Sequence, residues 1–258
     1  MSKSLKRNPP TEKIEKKILI ACEGSDTEPL YFNAIRQDLR LPEGRITVTP
    51  HDGTDPLRVV NNVLKARQVR KADKTWEKED SAWAVFDGDE HIANNPANWH
   101  QAIQKAKSQK VNLAITNPSI EFWYLIHFQD YYPNISRDKA KERLKQYIPN
   151  YDKSICYYPS RLKALTQESI DRASKLESLT KLNNLPEYSN PSCSGISQLI
   201  KIILDLDSEN TETKGQQSEE SVASIIVDLF HQLYCYDAIW REPIILKLLF
   251  YILASLIL

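Results

Sequence analysis

Short apolar runs alternate with amphipathic stretches along the first half of the chain. Ile18-Leu19-Ile20-Ala21-Cys22 is continuous, apolar and of strand length, the form of a parallel strand buried on both faces. Glu23-Gly24-Ser25-Asp26 breaks the run, and Thr27 to Leu39 then follows a helical pattern through Leu30, Ile35 and Leu39. A second strand is predicted at Arg45 to Thr49, with Ile46 and Val48 on one face. After a turn at His51-Asp52-Gly53, Asp55 is the predicted N-cap of a helix with Pro56 in its first position and Leu57, Val60 and Leu64 as its apolar stripe. A third strand, Ala82 to Phe86, ends abruptly in Asp87-Gly88-Asp89-Glu90. There follow a helix from about Pro96 to Ser108, a strand at Val111 to Ile115, and a buried helix at Ile120 to Phe128 opened by Asn117-Pro118-Ser119. Strand–helix alternation with short connections predicts an α/β fold, an open parallel sheet covered by helices on both faces.

The remainder reads differently. Residues 1–16 carry dense charge and Pro9-Pro10, the composition of a disordered basic arm. The α/β core is expected to span 17–133. A helical extension follows over 134–204, with amphipathic segments near Ser136–Tyr147, Ser160–Leu176 and Cys193–Leu204. Residues 205–220 are polar and acidic, as in a linker, and 221–258 form a helical, strongly apolar tail. The last stretch, Ile244 to Leu258, falls short of the roughly 20 apolar residues that a bilayer span needs. A buried helix, a partner-docking helix or pairing with a second copy is preferred to a membrane anchor.

Composition narrows the classes. Lys+Arg and Asp+Glu both number 34, so the chain lacks the overall basicity of a protein that coats nucleic acid, and any such binding must be local. Cys22, Cys156, Cys193 and Cys235 form no C-x-x-C pair, which fits reduced thiols in a cytoplasmic protein better than zinc. The basic N-terminus leads into no signal-peptide core.

In an open parallel sheet, ligands bind beyond the carboxyl ends of the strands. Glu23 follows the first strand; Asp87 and Asp89 follow the third. If the segment stays extended, alternation places Asp87 and Asp89 on one side, with Gly88 removing bulk between them. Carboxylates packed so closely repel one another unless a cation neutralises them, and oxygen-only ligation selects a hard ion, Mg2+ or Mn2+. Such an ion polarises phosphoryl oxygens and acidifies bound water. Glu23 is then a general base or acid, or a further ligand. The plainer alternative is that all three are polar residues ending strands.

The segments ILIACEGSDTEPLYFNAIR, DGTDPLRVVNNVLKAR, WAVFDGDE and LAITNPSIEFWYLIHF, with a weaker NPSCSGISQLI, resemble the RloB family, also described as the abortive-infection L-type family. Its strand-Glu-Gly and Asp-x-Asp motifs resemble the Toprim domain of topoisomerases, primases and related nucleases. The resemblance covers roughly residues 17–204. It implies a Toprim-like (Rossmann-like) fold, a divalent metal, and a role in anti-phage defence beside an ATPase partner. The Toprim glutamate corresponds to Glu23, and the Asp-x-Asp pair to Asp87 and Asp89. Gly88 stands where the family commonly has a basic residue, which removes a phosphate contact but keeps the carboxylates.

Other candidates carry two readings each. Glu121 and Asn117 lie at the carboxyl end of the fourth strand, as metal-site neighbours or as a helix-start motif. Glu90 is a further ligand or a solvated neighbour; His51, a loop residue at the same edge, is a site residue or a bystander. His127 is a core histidine or a catalytic one, and Glu28 is read as a cap partner. The clusters Lys65-Arg67-Arg70-Lys71-Lys74 and Lys139-Lys141-Arg143-Lys145 are phosphate contacts or solvated helix faces. The expectation is a nuclease acting on RNA, including tRNA, or on DNA. The rival is a non-catalytic or regulatory subunit of an ATPase-containing complex, and homo-oligomers suit either.

Overall fold

In the computed structural model of the protein, residues 15–193 and 195–206 are described. Four strands, β1 (Ile18–Cys22), β2 (Ile46–Val48), β3 (Ser81–Asp87) and β4 (Asn112–Thr116), form one parallel sheet in the order β2-β1-β3-β4. Helices α1 (Thr27–Asp38), α2 (Pro56–Ala72), α3 (Asp89–Asn94) and α4 (Pro96–Ser108) alternate with them. Helices α5 (Ile120–Phe128), α6 (Arg137–Leu144), α7 (Thr166–Leu182) and α8 (195–206) follow. The protein therefore has the expected α/β, Rossmann-like architecture.

Strand periodicity sorts the core into two layers. Ile18, Ile20 and Cys22 of β1, Trp83 and Val85 of β3 and Ala114 of β4 face one side, where α1, α5, α6, α7 and α8 cover them. Leu19 and Ala21, then Ala82, Ala84 and Phe86, then Ile115 face the other side, beneath α2 and α4. Because both faces are covered, the strands read as unbroken apolar runs rather than alternating ones. In α5, every residue from Ile120 to His127 is buried. Truncating one of its aromatic residues should therefore cost about 3–5 kcal/mol.

Several local expectations hold. Asp55 caps α2 through Oδ1, which accepts the Arg58 N–H at 3.0 Å, and Pro56 takes the first helical position. His127 is a core histidine: fully buried, its Nδ1 stands 2.9 Å from the Trp123 carbonyl, and burial holds its pKa down at about 4.

Others are corrected. The buried stripe of α2 runs through Val59, Val60 and Val63; Leu57 and Leu64 are only partly buried, because the helix is rotated toward its β-branched residues. Extended backbone ends at Asp87. Gly88 has φ −100 and ψ −43, and Asp89 opens α3, so strand alternation does not relate the two aspartates. Asn117 does not cap α5. Ser119 holds that position, and Asn117 instead makes an isolated bridge with Ser192. The 134–204 region is helical in α6, through Tyr158–Leu182 in successive π, 3-10 and α turns, and in α8, with irregular chain between.

Among the described residues, no helix is long and apolar enough to cross a membrane. Cys22, Cys156 and Cys193 are free thiols. The basic arm as far as residue 14, Cys235, the linker from residue 207 and the apolar tail lie outside the described residues.

Candidate active site

Sheet order brings the polar strand ends together. β1 and β3 are neighbours, as are β3 and β4, so Glu23, Asp87 and Asn117 leave adjacent strands at the same edge. The ladder continues one step beyond β1, where the Glu23 N–H donates to the Val85 carbonyl at 2.9 Å. The Glu23 side chain then folds across the end of β3. Its Oε2 accepts the Asp87 backbone N–H at 2.9 Å, and its Oε1 stands 2.9 Å from His91 Nε2. His91 is raised in pKa, chiefly by this contact with Glu23, against the opposing pull of its own burial.

Asp87 is buried. Its Oδ1 accepts the Thr116 hydroxyl at 2.6 Å, and its Oδ2 lies 3.3 Å from Arg137 at the start of α6. Burial, then Glu28 and then Glu23 push its pKa well above the ordinary carboxylate value; Thr116 and Arg137 oppose the rise. Arg137 also reaches the largely exposed Glu90 at 3.7 Å. Asp89 opens the helix that carries His91; its side chain lies outside the described residues.

Glu28, on the first turn of α1, is the carboxylate that sequence reasoning set aside. It is buried, and it folds back over Gly24, where a Cβ would sit 2.9 Å from its carboxyl carbon. Burial, followed by Glu23 and Glu121, raises its pKa to about 7 against the lowering effects of its own backbone N–H and of Lys153. Glu121, wholly buried, is better served. The Ser119 hydroxyl donates to its Oε2 at 2.7 Å, Lys153 Nζ stands 3.3 Å from its Oε1, and the Tyr151 hydroxyl is 3.4 Å away. Burial pushes the Glu121 pKa up, but Lys153 and these hydrogen bonds outweigh it, so the net shift is downward.

Asn117 is buried and donates from Nδ2 to the Tyr188 carbonyl at 2.7 Å, while its Oδ1 has no hydrogen-bond partner among the described residues. It packs against Gly88, where a Cβ would meet its Cβ at 3.0 Å and its Cγ at 3.1 Å. Any larger residue between Asp87 and Asp89 would disturb this contact. His51 is exposed in the loop after β2.

The sequence model for RloB-like proteins matches residues 18–203. The chain belongs to the RloB-like family. No curated protein and no solved structure matches it. The matched span covers all the strand ends described above and also includes α6, which delivers Arg137. In this RloB-like protein the candidate centre brings together Glu23, Glu28 and Asp87, with His91, Arg137 and Lys153 as counter-charges.

Donor chemistry suits a hard cation: the carboxyls of Glu28 and Asp87 are raised in pKa by burial and by neighbouring carboxylates, and Asn117, at the same sheet edge, has a buried side-chain oxygen with no hydrogen-bond donor among the described residues. The arrangement is not ready-made, however. Among the described residues, no group of three His, Cys, Asp or Glu side chains is disposed to hold a metal ion. The oxygens of Glu23 and Asp87 already face His91, Arg137 and N–H or O–H donors. A divalent ion would have to share or displace those partners.

His91, Arg137, Thr116 and Lys153 were missed as site residues. His91 had a signal, lying two positions beyond the Asp-x-Asp pair. Glu28 had one too, on the turn that Glu23-Gly24 opens. Arg137 arrives from a helix distant in sequence and left no local mark.

Proposed function

We propose that this protein is a divalent-metal-dependent nuclease of Toprim type, hydrolysing phosphodiester bonds of RNA or DNA as an effector of anti-phage, abortive-infection defence. The observation that carries this reading is the cluster of the buried Glu28 and Asp87 with the half-buried Glu23 at the carboxyl edge of a parallel sheet, in a chain of the RloB-like family. Burying several carboxylates together destabilises a fold, and such clusters belong to sites of function more often than to sites of packing. Asp87, Asp89 and Glu23 would hold Mg2+ or Mn2+, with Glu28 and Glu90 as further donors. The ion would supply polarisation of a phosphoryl oxygen and a water of lowered pKa.

The chain's own groups do the rest. Glu23 takes a proton from the attacking water as that oxygen bonds to phosphorus, and His91, 2.9 Å from Oε1 and raised in pKa by it, gives its proton to the oxygen that departs as the phosphodiester P–O bond breaks. Arg137 faces the substrate as an anion-stabilising fork once it releases Asp87. One observation favours the rival reading, a non-catalytic subunit beside an ATPase: Arg137 and His91 already neutralise the carboxylates without a metal.

The purified full chain, incubated with MgCl2 or MnCl2 and with tRNA, single-stranded RNA or duplex DNA, decides between them. Cleavage that disappears in Glu23→Gln and Asp87→Asn supports the nuclease. A folded wild type that binds no divalent ion in calorimetry and cleaves none of the three substrates sinks it.

A further inference from the structure

Away from the carboxylates, the molecule is strongly polarised on the flank formed by α2 and α4. The two helices carry Arg58, Lys65, Arg67, Arg70, Lys71, Lys105 and Lys107 and not one Asp or Glu. An ordinary solvated helix mixes both signs. α7 does so, with Glu168, Asp171 and Glu177 set against Arg172, Lys175 and Lys181. In a chain with 34 residues of each sign, such segregation is local and specific.

The charges converge on a groove of about 700 Å³, where Arg58, Lys65, Arg67, Lys71 and Lys105 face a single carboxylate, Asp52. Existing pairings there are weak. Lys65 meets Asp52 at 3.0 Å and Arg58 meets Asp55 at 3.2 Å, both with exposed side chains, and exposed pairs contribute at most about 1 kcal/mol. Lys71 and Lys105 have no ion-pair partner among the described residues. From Arg58 to Lys71 the groove follows about 20 Å of helix at about 1.5 Å per residue, the length of about six stacked nucleotides at about 3.4 Å each.

Its direction matters. Both helices begin at the sheet edge that bears the carboxylates. There the Asn98 side chain joins them, accepting the Leu57 N–H at 3.2 Å and donating to Asp55 at 2.9 Å. α4 directly follows α3, whose His91 touches Glu23.

We infer that the α2–α4 groove is the track on which the phosphate backbone of a nucleic acid lies, leading a strand toward the Glu23–Asp87 centre. This inference takes its polyanion from the nuclease reading and places it on a surface that reading does not use.

The test separates the two. Binding of fluorescently labelled RNA and duplex DNA to the full chain is measured by anisotropy in EDTA, across a salt series, for the wild type and for Lys71→Gln/Lys105→Gln. The double variant should bind about tenfold more weakly. Its plot of log affinity against log salt should be shallower by about 1.4 to 1.8, as expected for two lost phosphate contacts. Lys175→Gln/Lys181→Gln on α7 serves as control and should bind like the wild type. Equal affinity and slope in the groove variant overturn the inference, as does a wild type that binds neither nucleic acid, or that binds polyglutamate equally well. If groove-dependent binding persists but no cleavage occurs with metal, the nuclease reading fails and the track stands. If cleavage persists at wild-type efficiency in the groove variant, the reverse holds.

Discussion

Substituting Glu28 by Gln should stabilise the metal-free protein at pH 8. In the native state this buried carboxyl has a pKa of about 7 against an ordinary 4.5, with burial first among the causes and Glu23 and Glu121 adding to it. Below pH 4.5 it is protonated whether the chain is folded or not, and costs nothing. As the pH rises through 4.5 the unfolded chain ionises first, and the native state loses ground until it too ionises near 7; above that the penalty is complete. At about 1.4 kcal/mol per pH unit, the gap amounts to about 3 kcal/mol. The amide keeps the shape and removes the charge, so Glu28→Gln should recover most of that, about 2–3 kcal/mol at pH 8 and little at pH 4.5. For a domain of this size the melting temperature should rise by about 5–10 °C. The assay is thermal unfolding of both proteins in EDTA at several pH values between 4.5 and 8. A variant less stable than wild type at pH 8, or one whose advantage is the same at every pH, would refute the electrostatic account of the cluster. On the nuclease reading, adding Mg2+ at pH 8 should narrow the difference, because the ion relieves in the wild type the repulsion that the variant lacks.

Three further outcomes are expected. Gly24→Ala places a methyl group where the Glu28 carboxyl lies and should swing that side chain outward without unfolding the protein, which on the nuclease reading lowers cleavage at least tenfold; unchanged turnover with added Mg2+ would show that Glu28 takes no part. His127, held at about 4 against an ordinary 6.5, is neutral in the native core, so its stability contribution is complete above pH 6.5 and is lost as the pH falls toward 4, by about 3 kcal/mol; urea midpoints of His127→Gln should be flatter across that window than those of the wild type. Gly195→Ala drives a methyl group against the β4 backbone, 3.0 Å from the Ala114 Cα and from the Ile115 nitrogen, and should cost about 2–4 kcal/mol in urea unfolding, since neither backbone atom can move aside.

Much of the fold is legible in the sequence because its signals are local. The apolar run at Ile18–Cys22, the Asp55-Pro56 helix start and the density of α5 each report their own surroundings, and each element stands where its pattern predicts. The carboxyl-edge rule placed Glu23 and Asp87 together across the gap between them, since it depends only on which strands are parallel. It could not place Asp89, because the backbone turns helical at Gly88 and the strand period stops there. Glu28 was ranked low for a similar reason. From sequence alone a glutamate on the first turn of a helix is a cap partner, and only the fold shows Gly24 leaving room for it to turn inward. In α2, Leu57 and Leu64 outrank valine in hydrophobicity, but the smaller Val59 and Val63 fit beneath the helix where it lies close to the sheet.

The counter-charges show where the site's boundary lies. Arg137 on α6 neutralises Asp87, and Lys153, in the loop after α6, neutralises Glu121 and attracts Glu28. Thr27 fixes that loop by donating to the Lys153 carbonyl at 2.9 Å. Both cations come from the region beyond residue 133, and that region shares one continuous core with β1 and α1, in which Leu144, Leu162 and Ala173 are buried together with Ile18 and Phe32. The helical extension therefore belongs to the candidate centre, because Arg137 and Lys153 supply the positive charge that opposes the upward shifts of Asp87 and Glu28. Removing Arg137 takes away one of the two groups that oppose the rise in the Asp87 pKa, and breaking a buried ion pair costs about 3–5 kcal/mol in other proteins. A bound divalent ion should repay much of that loss. If Arg137→Gln unfolds at the same temperature with and without Mg2+, the ion and the arginine do not answer the same charge.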